Sequence, residues 1–400
     1  MSAPDQTRSA LMATYTPASP VFVRGSGTEL FDEDGHRYLD FIGGLAVVSL
    51  GHSHPSVAAA VGAQAATLSH VSNLYRNALA PEVASTLDRL IGGGTTPAGG
   101  QVFFANSGAE ANECAIKLAR RWAGPGRHRV VTALGSFHGR TLATLAATGQ
   151  PEKHVPFAPV PEGFSHVPFD DLGAMGDALD AAPSAAVLLE PVQGEGGVVV
   201  PSSDYLAGVR RLCDERGVLL IADEIQTGFG RTGRWFAFQA QDLQPDIVTM
   251  AKALGNGMPV GACWARAEVA AAFGPGDHGS TFGGQPLALS AVKATLAVME
   301  AEDVCGRARR AGARLAQGLG ALPGVLDVRG AGLLLAAGLS GDYAKDVASR
   351  ALEGGLLVNA VQPDSVRVAP PLLVSDAEID EALAILGRAL AEATPRRDAR

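Results

Sequence analysis

The feature that most narrows the possible folds is a rhythm that starts near residue 100: a short apolar run, a polar or glycine-bearing loop, then a stretch with helical spacing, again and again. The runs are Gln101 to Ala105, Arg129 to Ala133, Ala185 to Leu189, Val218 to Ala222, Asp246 to Met250 and Val260 to Ala265. Their nearly continuous apolarity predicts strands buried on both faces, as in a largely parallel sheet covered by helices. The expected class is α/β, with a large domain on a mostly parallel central sheet. Residues 20 to 50 instead alternate apolar and polar positions, with Gly25, Gly27 and Gly35 at turn positions, and predict a small β-meander outside that sheet. Beyond about 300, short strand runs (Leu333 to Gly338, Leu356 to Asn359, Ser365 to Ala369) alternate with helices, the last from Asp376 to about Ala391. A chain of 400 residues exceeds what one core usually holds. A smaller α/β domain from both ends is therefore expected, 1–60 with 296–394, around a large domain at 61–295 and followed by a tail at 395–400.

Nearly every unusual polar cluster falls just past the carboxyl end of an expected strand, where open α/β sheets bind ligands. Asn106-Ser107-Gly108-Ala109-Glu110 has the S-x-x-E spacing of a capped helix start, and that helix carries Ala111, Cys114, Ala115, Leu118 and Trp122 on one face. Its small residues leave the first N–H groups open to an anion, so an ordinary capped helix and a phosphate site are both readings. Ser136-Phe137-His138-Gly139-Arg140 sets a flat ring and a guanidinium beside the same edge, as a stacking surface and carboxylate clamp or as a core Phe and a surface Arg. Glu195 lies in the glycine-broken loop after Leu189, functional or turn-forming. Asp223 ends the next strand among aliphatics, where a carboxylate calls for a partner, either a metal or a cationic ring nitrogen.

The chain holds five lysines. Lys117 follows Glu113 by one helical turn and reads as a surface pair, Lys153 as a loop residue, and Lys293 and Lys345 as polar helix positions. Lys252 alone stands at a strand end between apolar or small neighbours, where desolvation lowers an amine's pKa and makes it nucleophilic. A phosphate cradle, a stacking Phe, a carboxylate for a pyridinium and an amine for an aldehyde together meet the polar requirements of pyridoxal phosphate.

A net charge of -9 argues against nucleic-acid or anionic-membrane partners and leaves small molecules as the expected ligands. Four scattered cysteines without a C-x-x-C pair suggest neither a disulfide framework nor a zinc site, and a reducing cytoplasm is expected. The first twenty residues lack the apolar run of a signal peptide, and the three arginines after Thr394 read as a solvated tail. Gly51-His52-Ser53-His54-Pro55 has the look of a metal site without a third ligand nearby, and a turn is expected; no metal is.

The segments Leu50 to Pro55, Phe103 to Glu113, Ser136 to Thr141, Glu190 to Gly197, Asp223 to Gly228, Gly230 to Gly233, Ala251 to Gly255, His278 to Gly284 and Arg367 to Leu372 follow one another in an order that resembles the class III pyridoxal-phosphate aminotransferases of fold type I. The resemblance runs from about Phe22 to Leu386. It implies that Ser107, Gly108 and Ala109 hold the phosphate, Phe137 stacks on the ring, Asp223 pairs with the ring nitrogen, Ile225 and Gln226 contact the ring, and Lys252 binds the cofactor covalently. It further implies that Thr281 reaches the phosphate of a second subunit, so the expected unit is a homodimer with shared active sites. Arg140 would clamp a distal carboxylate, Ser280 would touch substrate, Arg367 would take glutamate's α-carboxylate, and Glu195 would neutralise that arginine while an amine donor binds.

The implied activity is ping-pong transfer of an ω-amino group, that of acetylornithine first, to 2-oxoglutarate, with glutamate as product. Ornithine, 4-aminobutyrate and succinyl-diaminopimelate are alternative donors, and a racemase or aminomutase is an alternative of another class. Gln285, Ile225 and Asn256 depart from residues common among relatives, without removing a cofactor contact.

Overall fold

The computed structural model describes residues 10–16, 20–241 and 243–393, so the expected tail at 395–400 lies outside the described residues. Phe22–Ser26 (β1), Glu29–Asp32 (β2) and Arg37–Asp40 (β3) form the antiparallel meander. Gly27 and Gly35 take positive φ at its turns. Gly25 does not turn the chain: it lies within β1 opposite Leu30, and a Cβ there would come within 2.8 Å of the His52 Cβ.

The central sheet comprises Gly100–Ala105 (β4), Arg129–Ala133 (β5), Phe164–Val167 (β6), Ser184–Leu189 (β7), Leu219–Asp223 (β8), Ile247–Met250 (β9) and Gly261–Arg266 (β10). Each expected strand forms within one residue of its expected ends, and β6 is an addition. The order is β4-β10-β9-β8-β7-β5-β6, parallel throughout except for β10, which runs against both neighbours. Because only β10 is reversed, the carboxyl ends of the other strands and the start of β10 share one edge.

Helix Gly108–Ala123 packs Cys114, Ala115, Ile116, Leu118 and Ala119 against Val130, Leu188, Ile221 and Ile247 of the sheet, with Trp122 partly buried beside them. Burial of each large aliphatic here is worth roughly 1.5–3 kcal/mol. The expected Glu113–Lys117 pair does not form. Lys117 Nζ donates to the Asp277 carbonyl at 2.9 Å and lies 3.0 Å from His278 Nδ1, while Glu113 accepts from Thr141 Oγ1 at 2.6 Å. An exposed i,i+4 pair is worth only a few tenths of a kcal/mol, so tertiary partners displace it.

Val325–Ala331 (β11), Leu334–Leu339 (β12), Leu356–Leu357 (β13), Asn359–Gln362 (β14) and Ser365–Val368 (β15) complete the strands. β11-β12-β15-β14 make an antiparallel sheet, while β13 joins the N-terminal meander in parallel, with Leu356 opposite Leu39. The run at 356–359 therefore splits between two sheets. The last helix, Asp376–Glu392, opens on a full capping box, Ser375 with Glu378.

Fully buried Arg231 ties distant pieces together, donating to the Leu333 and Pro370 carbonyls and to Ser49 Oγ. At the histidine-bearing turn, Gly51 and Ser53 have positive φ and His52 Nε2 meets Asp40 Oδ2 at 2.8 Å. Among the described residues, no His/Cys/Asp/Glu group has metal-holding geometry, and no helix is long and apolar enough to cross a membrane.

Candidate active site

At the shared strand edge lies a crevice of about 390 Å³. Its walls come from the loop after β4 (Asn106 to Ala109), the loop after β5 (Phe137 to Arg140), Glu190 and Glu195 after β7, Asp223, Ile225 and Gln226 at β8, Lys252 after β9, and Met258 to Val260 leading into β10. Residues scattered over more than 150 positions thus meet because the sheet is nearly parallel.

Asp223, the last residue of β8, is 3% exposed. Its Oδ2 accepts from Asn112 Nδ2 at 2.8 Å and lies 2.8 Å from His138 Nδ1, and its Oδ1 accepts from the Ile225 N–H at 3.1 Å. Asn112 is itself fixed: Nδ2 also donates to the His138 carbonyl at 2.8 Å, and Oδ1 accepts from Thr249 Oγ1 at 2.7 Å. Several donors converging on one buried carboxylate fix its direction. Sequence reasoning gave neither Asn112 nor His138 a role. The signal for Asn112 was there, since it stands three, four and seven residues before Ala115, Ile116 and Ala119 on the stripe that faces the sheet. Glu190 was also passed over. It accepts from the Phe137 N–H at 3.0 Å and the Gly194 N–H at 3.2 Å, and burial pushes its carboxyl up to about 7.

Lys252 opens a single turn of 3-10 helix after β9 with φ 45°, a left-handed backbone in a residue that is not glycine. Its amine has no hydrogen-bond or ion-pair partner among the described residues. Burial lowers its pKa from the ordinary lysine value, partly offset by Glu195 and Asp223. This is an amine held neutral more readily than a surface lysine and pointed at nothing the protein supplies.

Ser107 caps the Gly108–Ala123 helix, its Oγ accepting from the Glu110 N–H at 3.2 Å. The reciprocal half of the expected capping box is shifted by one residue: Glu110 Oε2 takes the N–H and the side-chain amide of Asn106, at 2.8 and 2.7 Å, because this extra donor makes Asn106 the better partner. The first-turn N–H groups of Gly108 and Ala109 have no intrahelical carbonyl to reach. A Cβ on Gly108 would lie 2.7 Å from Ile225 Cδ1, so only glycine lets the helix start sit this close to the β8 loop. An anion-ready helix start, a flat Phe137, a fixed Asp223 carboxylate and an unpartnered amine match, group for group, the phosphate, ring, ring nitrogen and aldehyde of pyridoxal phosphate.

Arg367, on β15, is 2% exposed and enters from the other sheet. It donates to Glu195 Oε1 at 2.8 Å, Gln226 Oε1 at 3.3 Å and Asn359 Oδ1 at 2.9 Å. Burial acts to raise the Glu195 carboxyl, but Arg367, together with Lys252 and Lys153 nearby, leaves it below the ordinary value. Arg140 is exposed at the mouth, its guanidinium 5.4 Å from the Phe137 ring centroid, and no carboxylate among the described residues pairs with it. Ser280 and Thr281 are not brought to this crevice. They lie in an exposed segment beyond β4, where Ser280 Oγ accepts from Asn106 Nδ2 at 3.0 Å and from the Gly283 N–H at 2.9 Å. Of the three departures noted in the sequence, Asn256 accepts from the Leu50 N–H at 2.8 Å, Gln285 from the Val71 N–H at 3.0 Å, and Ile225 packs beneath Gly108.

A family model described as Aminotransferase class-III matches residues 12–390. An acetylornithine aminotransferase of Gloeobacter violaceus is 49% identical over 94% of this chain and 94% of its own length, and one of Corynebacterium efficiens is 45% identical over 96% and 95%. Among solved structures, the ornithine aminotransferase of Toxoplasma gondii superposes with a TM-score of 0.90 at 34% identity, covering 96% of this chain and 92% of that one. The N-acetylornithine aminotransferase of Stenotrophomonas maltophilia K279a gives 0.81 at 35% identity, covering 94% and 96%.

Proposed function

The chain belongs to the class-III aminotransferases, and from that premise we propose that it transfers the δ-amino group of N2-acetyl-L-ornithine to 2-oxoglutarate, yielding N-acetyl-L-glutamate 5-semialdehyde and L-glutamate, as in arginine biosynthesis. It is a pyridoxal-phosphate-dependent transaminase. The observation that carries the substrate reading is the Arg367–Glu195 ion pair in a crevice whose other arginine, Arg140, has no acidic partner among the described residues.

When bound, pyridoxal phosphate supplies a protonated ring that can accept the electron pair released at the amine-bearing carbon. Asp223 would face the ring nitrogen, and Asn112 and His138 hold it in position. Ser107, Gly108 and Ala109 would hold the phosphate, Phe137 would cover the ring, and Ile225 and Gln226 would flank it. Lys252 would anchor the cofactor covalently, and its Nζ, when free, would carry the proton at the amine-bearing carbon, a task its lowered pKa favours.

Arg140 binds the distal carboxylate of either substrate. When the δ-amine reacts, no carboxylate approaches Arg367, and Glu195 satisfies it. When 2-oxoglutarate or glutamate binds, its α-carboxylate takes the place of Glu195. One pocket thereby serves two substrates of different charge.

The same reading makes the protein a cytoplasmic homodimer in which Ser280 and Thr281 of one protomer complete the other's site. Thr281 and Phe282 are exposed beyond β4 with Ser280 half-buried beside them, which supports this. It also divides the chain into a large domain at 61–295 and a smaller one from 1–60 and 296–394, supported by the meander's pairing with β13. Steady-state kcat/KM with 2-oxoglutarate and four donors, acetylornithine, ornithine, 4-aminobutyrate and succinyl-diaminopimelate, tests the assignment. Acetylornithine is expected to lead; leadership by another donor, or turnover without a keto acid, overturns it. Lys252→Ala is expected to lose both the cofactor's bound absorbance and activity.

A further inference from the structure

Lys153 reads in the sequence as an ordinary loop lysine, but the fold sets it against Phe137, a wall of the crevice. Its Nζ lies 5.7 Å from the centroid of Phe137, the ring that Arg140 approaches at 5.4 Å. The position is built rather than incidental. Gln150 Nε2 donates to the Ser136 carbonyl at 3.0 Å, next to Phe137 in sequence, and Gln150 Oε1 accepts from Lys153 Nζ. An ammonium has three donors, so this bond leaves two for a ligand. Among the described residues neither Lys153 nor Arg140 has a carboxylate within ion-pair distance. Glu195, the nearby crevice acid, is occupied by Arg367. Two cations therefore flank one aromatic ring without a direct ion-pair partner, the acids that act on Lys153 from farther off being Glu152 and Glu195, and Lys153 is partly buried there. Such a place attracts an anion and repels a cation.

We propose that Lys153 is a specificity-determining residue which, with Arg140, reads the distal end of the amine donor, favouring a carboxylate beside an acylated amine and rejecting a carboxylate beside a free ammonium. This rests on the function proposed above and deepens it. Acetylornithine and ornithine present the same δ-amine and the same distal carboxylate. They differ in the α-nitrogen, a neutral amide in one and a cation in the other. Arg140 alone can bind the carboxylate of both. A second cation close by strengthens the carboxylate contact for both and adds repulsion for ornithine only, so discrimination comes from the repulsive element. Attraction to Phe137 alone is the simpler role for Lys153, and it predicts no donor preference.

The test is a comparison of wild type, Lys153→Met and Lys153→Arg as holoenzymes, with kcat and KM for acetylornithine and ornithine at saturating 2-oxoglutarate. Lys153→Met is expected to raise KM for acetylornithine with the loss falling on KM rather than kcat. It should also shrink the acetylornithine-to-ornithine ratio of kcat/KM by about tenfold. Lys153→Arg, which keeps the charge, is expected to hold most of that ratio. A ratio unchanged in Lys153→Met, or equal losses on both donors, overturns the assignment to Lys153 while leaving the proposed function standing. A wild-type enzyme that does not prefer acetylornithine overturns the function itself and this inference with it.

Discussion

Asp223 shows how little of a buried carboxylate's orientation resides in the carboxylate. Asn112 grips it while being gripped by Thr249 and the His138 carbonyl, so Asn112→Ala should leave the acid in place but loosen its aim. The expected result is a fall in kcat of about tenfold with KM little changed, read from steady-state kinetics, together with a loss of about 1–3 kcal/mol in urea unfolding from the orphaned partners. Glu224, next in sequence, is fully buried, and burial pushes its carboxyl from an ordinary 4.5 up to about 7. A group raised in the fold stabilises it below the unfolded value and loses that contribution as pH rises through the folded one. Melting temperatures of wild type should therefore fall between pH about 4.5 and 7 relative to those of Glu224→Gln; parallel curves would contradict this. Of these neighbours, Asp223 was legible as a strand-end acid, and Glu224 beside it was given no role. What separates the crevice-lining one from the structural one is the pleat, which sends successive side chains to opposite faces.

The strands and the polar loops after them were readable because a buried parallel strand is almost uniformly apolar and the functional residues interrupt that pattern. Less could be read where the interaction is long-range. Neither the reversal of β10, nor the short edge strand β6, nor the division of 356–359 between two sheets has a local signature. Asn112 hid inside a helix, where a polar residue on the inner stripe resembles an irregularity in the pattern. The start of that same helix depends on contact with the β8 loop, which gives a test. Gly108→Ala would drive a Cβ to 2.7 Å from Ile225 Cδ1 and 3.0 Å from its Cγ2. Since the helix must then retreat from the crevice, cofactor affinity should drop by about tenfold in fluorescence titration. Most of the loss should return in Gly108→Ala/Ile225→Ala, which removes the obstruction; no recovery would mean that glycine serves the backbone there rather than the packing.

For the molecule as a whole, the fastenings between distant parts of the chain include three of particular interest: β13 beside β3, Arg231 between Ser49, Leu333 and Pro370, and Arg367 reaching Glu195 and Gln226. Two of these fastenings are arginines, and one of the two also serves the crevice. Binding and overall cohesion are thus partly the same contacts. The backbone at Lys252 carries this further. A left-handed φ of 45° costs about 1–2 kcal/mol in any residue with a side chain, and a desolvated amine adds a penalty that persists at every pH below its unfolded pKa. Lys252→Gly removes both. Without cofactor, that inert variant should melt several degrees above cofactor-free wild type at neutral pH, while Lys252→Ala, which keeps the strained backbone, should gain less. Wild type should close the gap as pH climbs toward the ordinary lysine range and the amine no longer needs to shed its proton on folding. Hardiness of the fold and reactivity therefore pull in opposite directions at this position, since the substitution that relieves the backbone also removes an unpartnered amine from the crevice.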